Sequence, residues 1–468
     1  MTSTWFGLET ARRGLMVNQQ AVNITGHNLA NASTAGYSRQ EAVINPTEPF
    51  SEPALDSYAN VGQLGTGVEV SSIRRVKDEY LDNNVRRITT DSSYWEEQLS
   101  VLELAEASIA EPASDGIGDR LTGFFRSWMD LNNSPQDTSV KAAVVESGDG
   151  LASLLSYTYN QLSDVQDSIA NIDSTPAVAG GKISDQVGEV NDLLVQIRDL
   201  TDSIKKVYDV GQQPNDLLDQ RDMLLEKLSQ YGPVNVSFET VNGMPTGELS
   251  SLTIFGMDVS QAGTSFSLTT DGTDISLTVT GGADDGSTIN LTDNSFDTSL
   301  GGSLLGLERA RQNVLDYMTK LDDLASNMES MIAGVGINFF TGDLSTGDFA
   351  VNATLLQNSS LIDGTLAGSV AALRDTQINP PAQPYTFEQY YGLLVTEIGS
   401  DVKVAGDMYD NQSAIKDQIT SLRDSVSGVS TDEELTKLIQ YQSGYEACAK
   451  LVNVLDEMLD LLINGLIN

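Results

Sequence analysis

Hydrophobic side chains recur at alternating steps of three and four residues at both ends of the chain. Near the C-terminus this stripe consists of Leu438, Tyr441, Tyr445, Cys448, Val452, Leu455, Leu459, Leu462 and Leu466. Near the N-terminus the same alternation joins Leu8, Ala11, Leu15, Asn18, Val22, Thr25, Leu29 and Ala32. Such spacing is typical of the contact face of a coiled coil. Because neither helix can bury its stripe alone, the pattern predicts that the two ends of the chain pack together.

Helical spacing also dominates much of the chain between the two ends. Apolar stripes several turns long, with few Gly or Pro residues, cover 80–104, 151–172, 183–204, 314–332 and 394–426. A single stripe of this kind indicates only a helix with one buried face. Several of this length predict a bundle of long, nearly parallel helices.

The pattern changes to strict alternation after Pro233. Val234, Val236 and Phe238 alternate with polar residues, and Asp271-Gly272 is a turn signal before another alternating run. The region 234–300 therefore reads as a small β domain, and its Gly, Thr, Ser and Asp content favours an exposed outer position. Residues 335–385 are expected to be largely loop with short elements.

Together these patterns predict a mainly α fold: a long-helix rod with coiled-coil terminal helices packed together, plus a small β-rich inserted domain. The predicted divisions are 1–38 as the N-terminal coiled-coil helix paired with 432–468, 39–233 as the first part of the helical rod with a β or irregular segment near 40–75, 234–300 as the inserted outer domain, 301–431 as the second part of the rod, and 432–468 as the C-terminal coiled-coil helix.

Charge and composition exclude several classes of partner. The chain has 26 Lys and Arg residues against 66 Asp and Glu residues, a net charge of −40. Such a surface repels phosphate groups, so we expect neither nucleic acid nor membrane as a partner. One cysteine excludes an internal disulfide framework. No apolar run approaches the roughly 18 residues of a membrane span, and no cleavable signal peptide is visible, which taken alone predicts a cytoplasmic protein.

Candidate catalytic and metal-binding groups are sparse in this sequence. His27 is the only histidine, and it has no cysteine or pair of acids nearby in the sequence. Cys448 lies on the C-terminal stripe, where a thiol acts as a small hydrophobic group. Gly180-Gly181-Lys182 lacks the rest of a phosphate-binding loop, and Asp284 lacks the spaced ligands of a calcium loop. We therefore expect no catalytic residue, no metal and no cofactor, and hence no enzyme.

One acidic helix allows two interpretations. Asp216, Asp219 and Asp222 recur at three-residue steps. We interpret them as a solvated helix face capped by Asn215; the alternative is that they form ion pairs with Arg198 or other cations.

Two terminal motifs carry a resemblance to a known group. Residues 25–40 read TGHNLANASTAGYSRQ, and residues 427–449 read SGVSTDEELTKLIQYQSGYEACA. They resemble the N- and C-terminal signatures of bacterial flagellar rod, hook and hook-associated proteins. Within that group, the run 215–222 and the stretch from Gly65 to Arg75 are similar to the hook-associated protein 1 family. The resemblance covers about 1–230 and 300–468, and the 234–300 segment resembles no family that we identify.

This resemblance implies a structural subunit of the flagellum that polymerises through its terminal helices as the first junction layer between hook and filament. The implied partners are further copies of the chain in a helical or ring-like homo-oligomer, hook protein, hook-associated protein 3, and an export chaperone at the C-terminal helix. It also implies an extracellular location, reached through the flagellar export apparatus without signal cleavage, which replaces the cytoplasmic interpretation.

The predicted assembly interface combines the two stripes with the end of the N-terminal helix. Asn and Gly tolerate the left-handed conformation that stops a helix, so we place a joint near 34–40. Both terminal segments are expected to be mobile in the monomer, and off-stripe residues such as Leu435, Ile439, Met458 and Ile463 suit neighbouring subunits. The interface residues are Leu8, Leu15, Val22, Leu29, Asn28, Asn31, Gly36, Tyr37, Leu438, Tyr441, Tyr445, Val452, Leu455, Leu459, Leu462 and Leu466.

Three alternatives stay open at this point. The chain could be another flagellar axial protein of the hook or rod type, although these generally lack the long helical stretch from 80 to 230. It could be a cytoplasmic coiled-coil adaptor, which secretion would exclude. It could also be a carboxylate-based hydrolase, but such an enzyme needs a cleft that raises one carboxyl pKa, and no such site can be identified in this sequence.

Overall fold

The computed structural model describes residues 2–49, 65–109, 116–172, 178, 180–241, 244–293, 301–378 and 385–464. Leu466 and the side chains of Leu462 and Ile463 lie outside this description, as do 50–64 of the segment 40–75, 294–300 of the segment 234–300 and 379–384 of the segment 335–385. The helices are α1 (Thr2–Ala30), α2 (Glu79–Ile109), α3 (Ile117–Asn133), α4 (Thr138–Ile169), α5 (Lys182–Asp209), α6 (Asn215–Leu228), α7 (Ser303–Val335), α8 (Ala353–Gln357), α9 (Ala367–Ala372), α10 (Phe387–Ser427) and α11 (Thr431–Asn464).

The strands form small antiparallel sheets. They are β1 (Gln40–Pro46), β2 (Val68–Arg75), β3 (Val234–Val241), β4 (Met244–Ile254), β5 (Met257–Asp258), β6 (Ser265–Thr270), β7 (Ile275–Thr280), β8 (Thr288–Asn290), β9 (Phe340–Thr341) and β10 (Ala350–Val351). Strands β1 and β2 pair as a ribbon, β3-β4-β5 and β6-β7-β8 form two three-stranded sheets, and β9 pairs with β10. The predicted mainly α fold with packed terminal helices and a β-rich insert is confirmed, whereas the five domain divisions stay predictions.

The central helices pack as a bundle around α2. Helix α10 runs antiparallel to α2, because Gly406 lies against Leu99 and Gly399 lies near Glu106. Helix α7 packs along another side of α2 and buries its own apolar stripe. A capping box between Thr386 and Gln389 satisfies backbone groups at the start of α10.

The far end of the bundle holds an aromatic core. Its rings come from α3, from the segment after α7 and from the start of α10. Most of these rings pack edge-on or tilted, with centroids 4.8 Å apart for Phe339 and Phe340, and Phe340 stacks on Phe349. The segment predicted as mostly loop therefore contributes short elements and core residues. The cluster consists of Phe124, Phe125, Trp128, Phe339, Phe340, Phe349 and Phe387.

The β module, residues 234–293, shares its core with the helices. Asn191 of α5 donates to the carbonyl of Phe266 and accepts from its N–H at 2.9 and 2.7 Å. Arg198 of α5 donates to the carbonyls of Val259 and Thr264. The β module is therefore not exposed on all sides. One of its sides is fixed to α5 by apolar packing and by hydrogen bonds to its backbone.

A buried ion pair also connects the β module to α7. Arg311 and Glu308 lie 2.7 Å apart with side chains 0 % and 1 % exposed. Glu308 accepts from the hydroxyl of Thr292, and Arg311 donates to the carbonyl of Thr273. Buried charges need such additional partners to offset the loss of hydration.

Along the described residues, no helix has both the length and the apolar character that crossing a membrane requires.

Candidate assembly interface

The two ends of the chain meet as an antiparallel helix pair, α1 with α11. We call this unit the terminal pair. Each step along α1 is matched by an equal backward step along α11, as expected for two antiparallel helices in register. The facing residues are Gly7 with Leu455, Gly14 with Cys448, Asn18 with Gly444, and Asn28 with Glu434.

Small residues of α1 form its face toward α11. Gly7, Gly14, Ala21 and Asn28 recur every seven residues along this face, and Ala11 and Thr25 on the same face are also buried. The larger residues of the predicted stripe, Leu8, Leu15, Val22 and Leu29, are half-buried, one position further along the helix. Helices approach more closely where side chains are small, so the closest contact is displaced from the large apolar residues.

A neighbouring side of α1 faces the β1–β2 ribbon. A methyl group added at Gly67 would lie 3.3 Å from Cδ of Arg13 and 3.4 Å from Cα of Thr10. Val17 and Ile24 are buried, and α1 contacts both strands of the ribbon. Helix α1 is therefore covered by α11 on one side and by the ribbon on the adjacent side, which explains why apolar residues outside the predicted stripe are buried.

Helix α11 has only one covered side within the described residues. The predicted stripe residues Leu438, Tyr441, Cys448, Val452, Leu455 and Leu459 are half-buried, and Tyr445 is 37 % exposed. We call a second set of residues the outer face; its members are large, apolar and between 44 % and 73 % exposed. They are Leu435, Ile439, Leu451, Val454, Met458 and Leu461 of α11.

The joint, residues 31–40, connects α1 to the ribbon. Asn31 donates from its side chain to the carbonyl of His27, which satisfies one of the last carbonyls of α1. Gly36 has φ of +73°, a left-handed conformation that favours glycine. Met223 of α6 packs directly over Gly36. The joint thus ends the helix as expected and brings the chain onto α6.

Asn28 is a hydrogen-bonding centre in the last turn of α1. Its Nδ2 donates to the carbonyl of Gln40 at 2.8 Å and to Oε2 of Glu434 at 2.9 Å. Its Oδ1 accepts from the hydroxyl of Tyr37 and from the N–H of Gln40, both at 2.9 Å. An amide has two donor hydrogens and two acceptor lone pairs, so every position is used. The sequence indicated a helix stop at Asn28, whereas the structure makes it a buried centre that is 1 % exposed.

The electrostatics of this centre keep Tyr37 protonated. Desolvation raises the pKa of the Tyr37 hydroxyl, and the nearby carboxylates of Asp216, Asp219 and Glu434 raise it further. The hydroxyl therefore remains a donor to Asn28. Its oxygen also lies 3.0 Å from Nδ1 of His27, whose Nε2 is 3.8 Å from Asp216.

The acidic residues of α6 form ion pairs, which corrects the interpretation of a solvated face. Asp219 is 4 % exposed, accepts from the N–H of Ser38 at 2.9 Å and pairs with Arg75 at 2.8 Å. Asp222 pairs with Arg75 at 2.7 Å and with Lys77 at 2.5 Å. The cations are therefore Arg75 of the ribbon and Lys77, whereas Arg198 contacts the β module.

The start of α6 also differs from expectation. Pro214 precedes the helix and supplies no side-chain cap. Asn215, expected as the cap, lies inside the first turn and donates to the carbonyl of Ile73 and to Oε1 of Gln40. Gln40 in turn donates to Asp216 at 2.8 Å. The first turn of α6 is thus held by contacts from the joint and the ribbon.

A cleft of about 560 Å³ lies between the joint, α6 and the end of α10. Its walls carry both charges, including Arg39, Lys77, Glu226, Arg423 and Glu433. Several of these groups are already paired, as Arg39 is with Glu433 at 3.0 Å and Arg423 with Glu226 at 2.7 Å. Over the described part of the chain, no group of three or more His, Cys, Asp or Glu side chains could hold a metal ion.

The sequence did not single out Gln40, Arg75 or Glu434, which the structure places in this network of hydrogen bonds and ion pairs. All three lie within the segments that resemble flagellar proteins, and that resemblance was the one signal in the sequence that included them. Their pairing was not visible, because the partners come from segments that are far apart in the chain.

Family models match three parts of the chain. The model for the helical domain of the flagellar hook-associated protein FlgK matches residues 102–333, a range that runs through the β module. The model described as flagella basal body rod protein matches residues 8–37, and the model for the C-terminal region of the basal body rod proteins FlgEFG matches residues 423–465. The last two matches cover most of the terminal pair.

Curated relatives with similar sequences carry one name, flagellar hook-associated protein 1. The Bacillus subtilis protein is 27 % identical over 516 residues, which covers 100 % of this chain and 99 % of that protein. The Salmonella typhimurium protein is 28 % identical over 230 residues, 49 % of this chain and 38 % of that protein. The Escherichia coli protein is 27 % identical over 237 residues, 50 % of this chain and 40 % of that protein.

Among solved structures, that of the flagellar hook junction protein FlgK from Burkholderia pseudomallei is similar with a TM-score of 0.42 at 24 % identity, covering 54 % of this chain and 43 % of that one.

Proposed function

Since the chain belongs to the flagellar hook-associated protein 1 family, we propose that it forms the first junction layer between hook and filament by polymerising through its terminal pair. It is a structural subunit of the bacterial flagellum. Family models at both ends and across the helical body support this assignment, as does the match along nearly the full length of the Bacillus subtilis relative.

The outer face is the observation that carries the proposed mechanism. Ile439 is 63 % exposed and Leu461 is 73 % exposed, although both lie on a helix that already packs against α1. Full burial of a large apolar side chain stabilises by about 1.5–3 kcal/mol, so half-exposed residues retain roughly 1 kcal/mol each. Several such residues along one helix supply enough free energy for contacts between subunits.

The predicted interface residues and the outer face have different roles in this proposal. Leu438, Tyr441, Val452, Leu455 and Leu459 hold α11 against α1 within one subunit. The outer face then contacts neighbouring copies of the chain. Contacts between unlike patches on successive copies generate an open helical array or a closed ring, depending on the rotation between them.

The proposed position between hook and filament also determines which partners we infer for the chain. We infer contacts with hook protein on one side and hook-associated protein 3 on the other, and an export chaperone that covers α11 before assembly. A hidden outer face during export would prevent premature association, since exposed apolar patches promote aggregation. The inferred location is outside the cell, after export through the flagellar apparatus without signal cleavage.

A catalytic role is not part of this proposal. His27 contacts Tyr37 and lies near Asp216, and both neighbours belong to the joint. The flagellar structural family agrees with a protein that is not an enzyme.

A mutational test addresses the outer face directly. In a strain lacking this protein, we expect hooks without filaments, and the native chain should restore filaments. Ile439→Asp should fail to restore them, because a carboxylate on this face opposes burial. Asn23→Asp is the control, since it adds one negative charge at an exposed polar residue of α1 that lies outside the outer face, and it should restore filaments.

Secretion and shearing separate this proposal from the alternatives. The Ile439→Asp chain should appear in the culture medium, which shows that export still works. The native chain should be recovered in sheared flagella, whereas an adaptor would remain in the cell. Filaments on Ile439→Asp hooks would contradict assembly through the outer face, and retention of the native chain in the cell would contradict the flagellar function itself.

A further inference from the structure

Asn28 and Glu434 join the two ends of the chain at a buried hydrogen bond, and both residues are 1 % exposed. Asn28 uses all four of its hydrogen-bonding positions, and one of these requires the carboxylate of Glu434 from α11. The other three bind Tyr37 and the backbone of Gln40. Closing α11 on α1 therefore completes the same group that fixes the joint.

The joint in turn holds the first turn of α6. The Gln40 side chain contacts Asp216 at 2.8 Å and Asn215 at 3.2 Å. The backbone N–H of Ser38 binds Asp219 at 2.9 Å. Because Pro214 gives no side-chain cap, this helix start depends on contacts from outside the helix.

Ion pairs extend the connection into the helical body. Asp219 is joined through Arg75 to Asp222, and Asp222 is joined through Lys77 to Asp82 of α2, with Lys77 3.1 Å from Asp82. Together with the backbone of residues 37–40, these hydrogen bonds and ion pairs connect α11 to α2. Hydrogen bonds in such a partly buried network strengthen each other, and removing one partner is costly where the remaining group is buried.

We propose that Asn28 and Glu434 act as a latch, by which closure of the terminal pair orders the joint and the start of α6. The latch sets the orientation of the helical body relative to the terminal pair when the pair is closed. This inference rests on the proposed function only in that assembly keeps the pair closed in the flagellum. The latch itself is a property of one subunit.

A disulfide offers a way to keep the pair closed in a monomer. A methyl group at Gly14 would lie 3.0 Å from Sγ of Cys448, the single cysteine of the chain. That separation suits a Gly14→Cys substitution for a disulfide, whose S–S bond is about 2.05 Å long. Loss of free thiols on oxidation reports that the bond has formed.

The test measures hydrogen exchange of residues 215–228 in the full-length, oxidised Gly14→Cys chain. Adding Asn28→Asp keeps the acceptor oxygen but places a carboxylate against Glu434 and the Gln40 carbonyl. We expect exchange at 215–228 to become faster by roughly tenfold, the effect of losing hydrogen bonds to a charged group. The matched control, Asn23→Asp, makes the same change at an exposed position of α1 and should leave exchange unchanged.

A second substitution tests whether the two residues act through each other. Glu434→Gln in the Asn28→Asp chain restores a donor opposite an acceptor, so protection at 215–228 should partly return. Glu446→Gln, at an exposed site of α11, should give no recovery.

Two outcomes would overturn the latch. The first is faster exchange confined to α1 and α11, with 215–228 as well protected as in the Asn23→Asp control. The second is equal recovery with Glu446→Gln and Glu434→Gln. Neither outcome bears on polymerisation, because the oxidised chain is measured as a monomer. Failure of the latch is therefore distinguishable from failure of the proposed function.

Discussion

Met223 of α6 fills the space beside Gly36 of the joint, so that a methyl group added to Gly36 would stand 2.3 Å from Sδ of Met223. Gly36 also has φ of +73°. Both the close approach and the left-handed backbone select glycine at this position.

Gly36→Ala should therefore destabilise the protein. The left-handed conformation costs a residue with a Cβ about 1–2 kcal/mol, and Met223 must move in addition. Thermal unfolding should show a lower midpoint. Gly36→Ala combined with Met223→Ala should remove the steric part and leave the backbone strain. Gly123→Ala is a control of opposite sign, because nothing lies within 4 Å and alanine favours the helix. A Gly36→Ala midpoint equal to or above that of Gly123→Ala would contradict this reading.

The close packing at Gly14 should limit the size of the side chain that the terminal pair accepts at this position. Gly14→Leu should force α1 away from α11, because Cys448 already occupies the space beside Gly14. We expect faster hydrogen exchange in α1 and α11 and fewer filaments in the complemented strain. Gly26→Leu on the same helix meets nothing within 4 Å and should have a smaller effect on both measurements. Equal effects of the two substitutions would argue against close packing at Gly14.

Asp222 should make stability depend on pH in the acid range. Burial raises the pKa of Asp222, but Lys77 and Arg75 outweigh it, and the net result lies below the ordinary value of 3.8. Between the folded and unfolded pKa values the unfolded chain binds more protons, so stability rises with pH there. The contribution is complete above the unfolded pKa and is lost as pH falls through the folded pKa.

Denaturant unfolding between pH 2.5 and 7 measures this dependence. Asp222→Asn should flatten the acid limb relative to the native chain, and it should lower stability at pH 7. Asp192→Asn, at an exposed site on α5, should leave the limb unchanged. An identical acid limb in native and Asp222→Asn chains would mean that this ion pair contributes nothing to folding.

Breaking the ion pair Glu308–Arg311 should lower the free energy of unfolding far more than breaking a surface pair. Arg311→Met leaves the carboxylate of Glu308 buried without its cation, at a cost of about 3–5 kcal/mol. Lys320→Met, which removes the partly exposed pair with Glu397, should cost less than about 1 kcal/mol. Replacing Glu308 with Leu in the Arg311→Met chain should recover much of the loss. Chemical denaturation compares the variants, and similar losses for Arg311→Met and Lys320→Met would disprove the distinction.

Salt should promote association of the purified chain. Copies with a net charge of −40 repel each other, and this repulsion is screened over about 10 Å at 0.1 M and about 3 Å at 1 M ionic strength. Apolar contacts at the outer face are not weakened by screening. Sedimentation at increasing salt should show larger species for the native chain and little change for Ile439→Asp. Association that weakens with salt would indicate an interface of ion pairs instead.

The sequence alone determined that two long terminal helices exist and that they pack together. Periodicity reports which side of a helix is apolar, and that signal is local. The periodicity also identified Leu435, Ile439 and Met458 as apolar residues off the main stripe, and these belong to the outer face. The terminal motifs indicated the flagellar family because their residues are contiguous in the chain.

Only the tertiary structure decided which residues meet. The contact face of α1 uses Gly7, Gly14 and Ala21, and a hydrophobicity pattern gives small residues little weight. Asn28 and Glu434 are 406 positions apart, and Ser38 and Asp219 are 181 apart. A polar residue reads as exposed until its buried partner is known, because burial becomes favourable only when the hydrogen bonds are satisfied. The latch is therefore a property of the folded chain, whereas the helices that it joins can be predicted from the sequence.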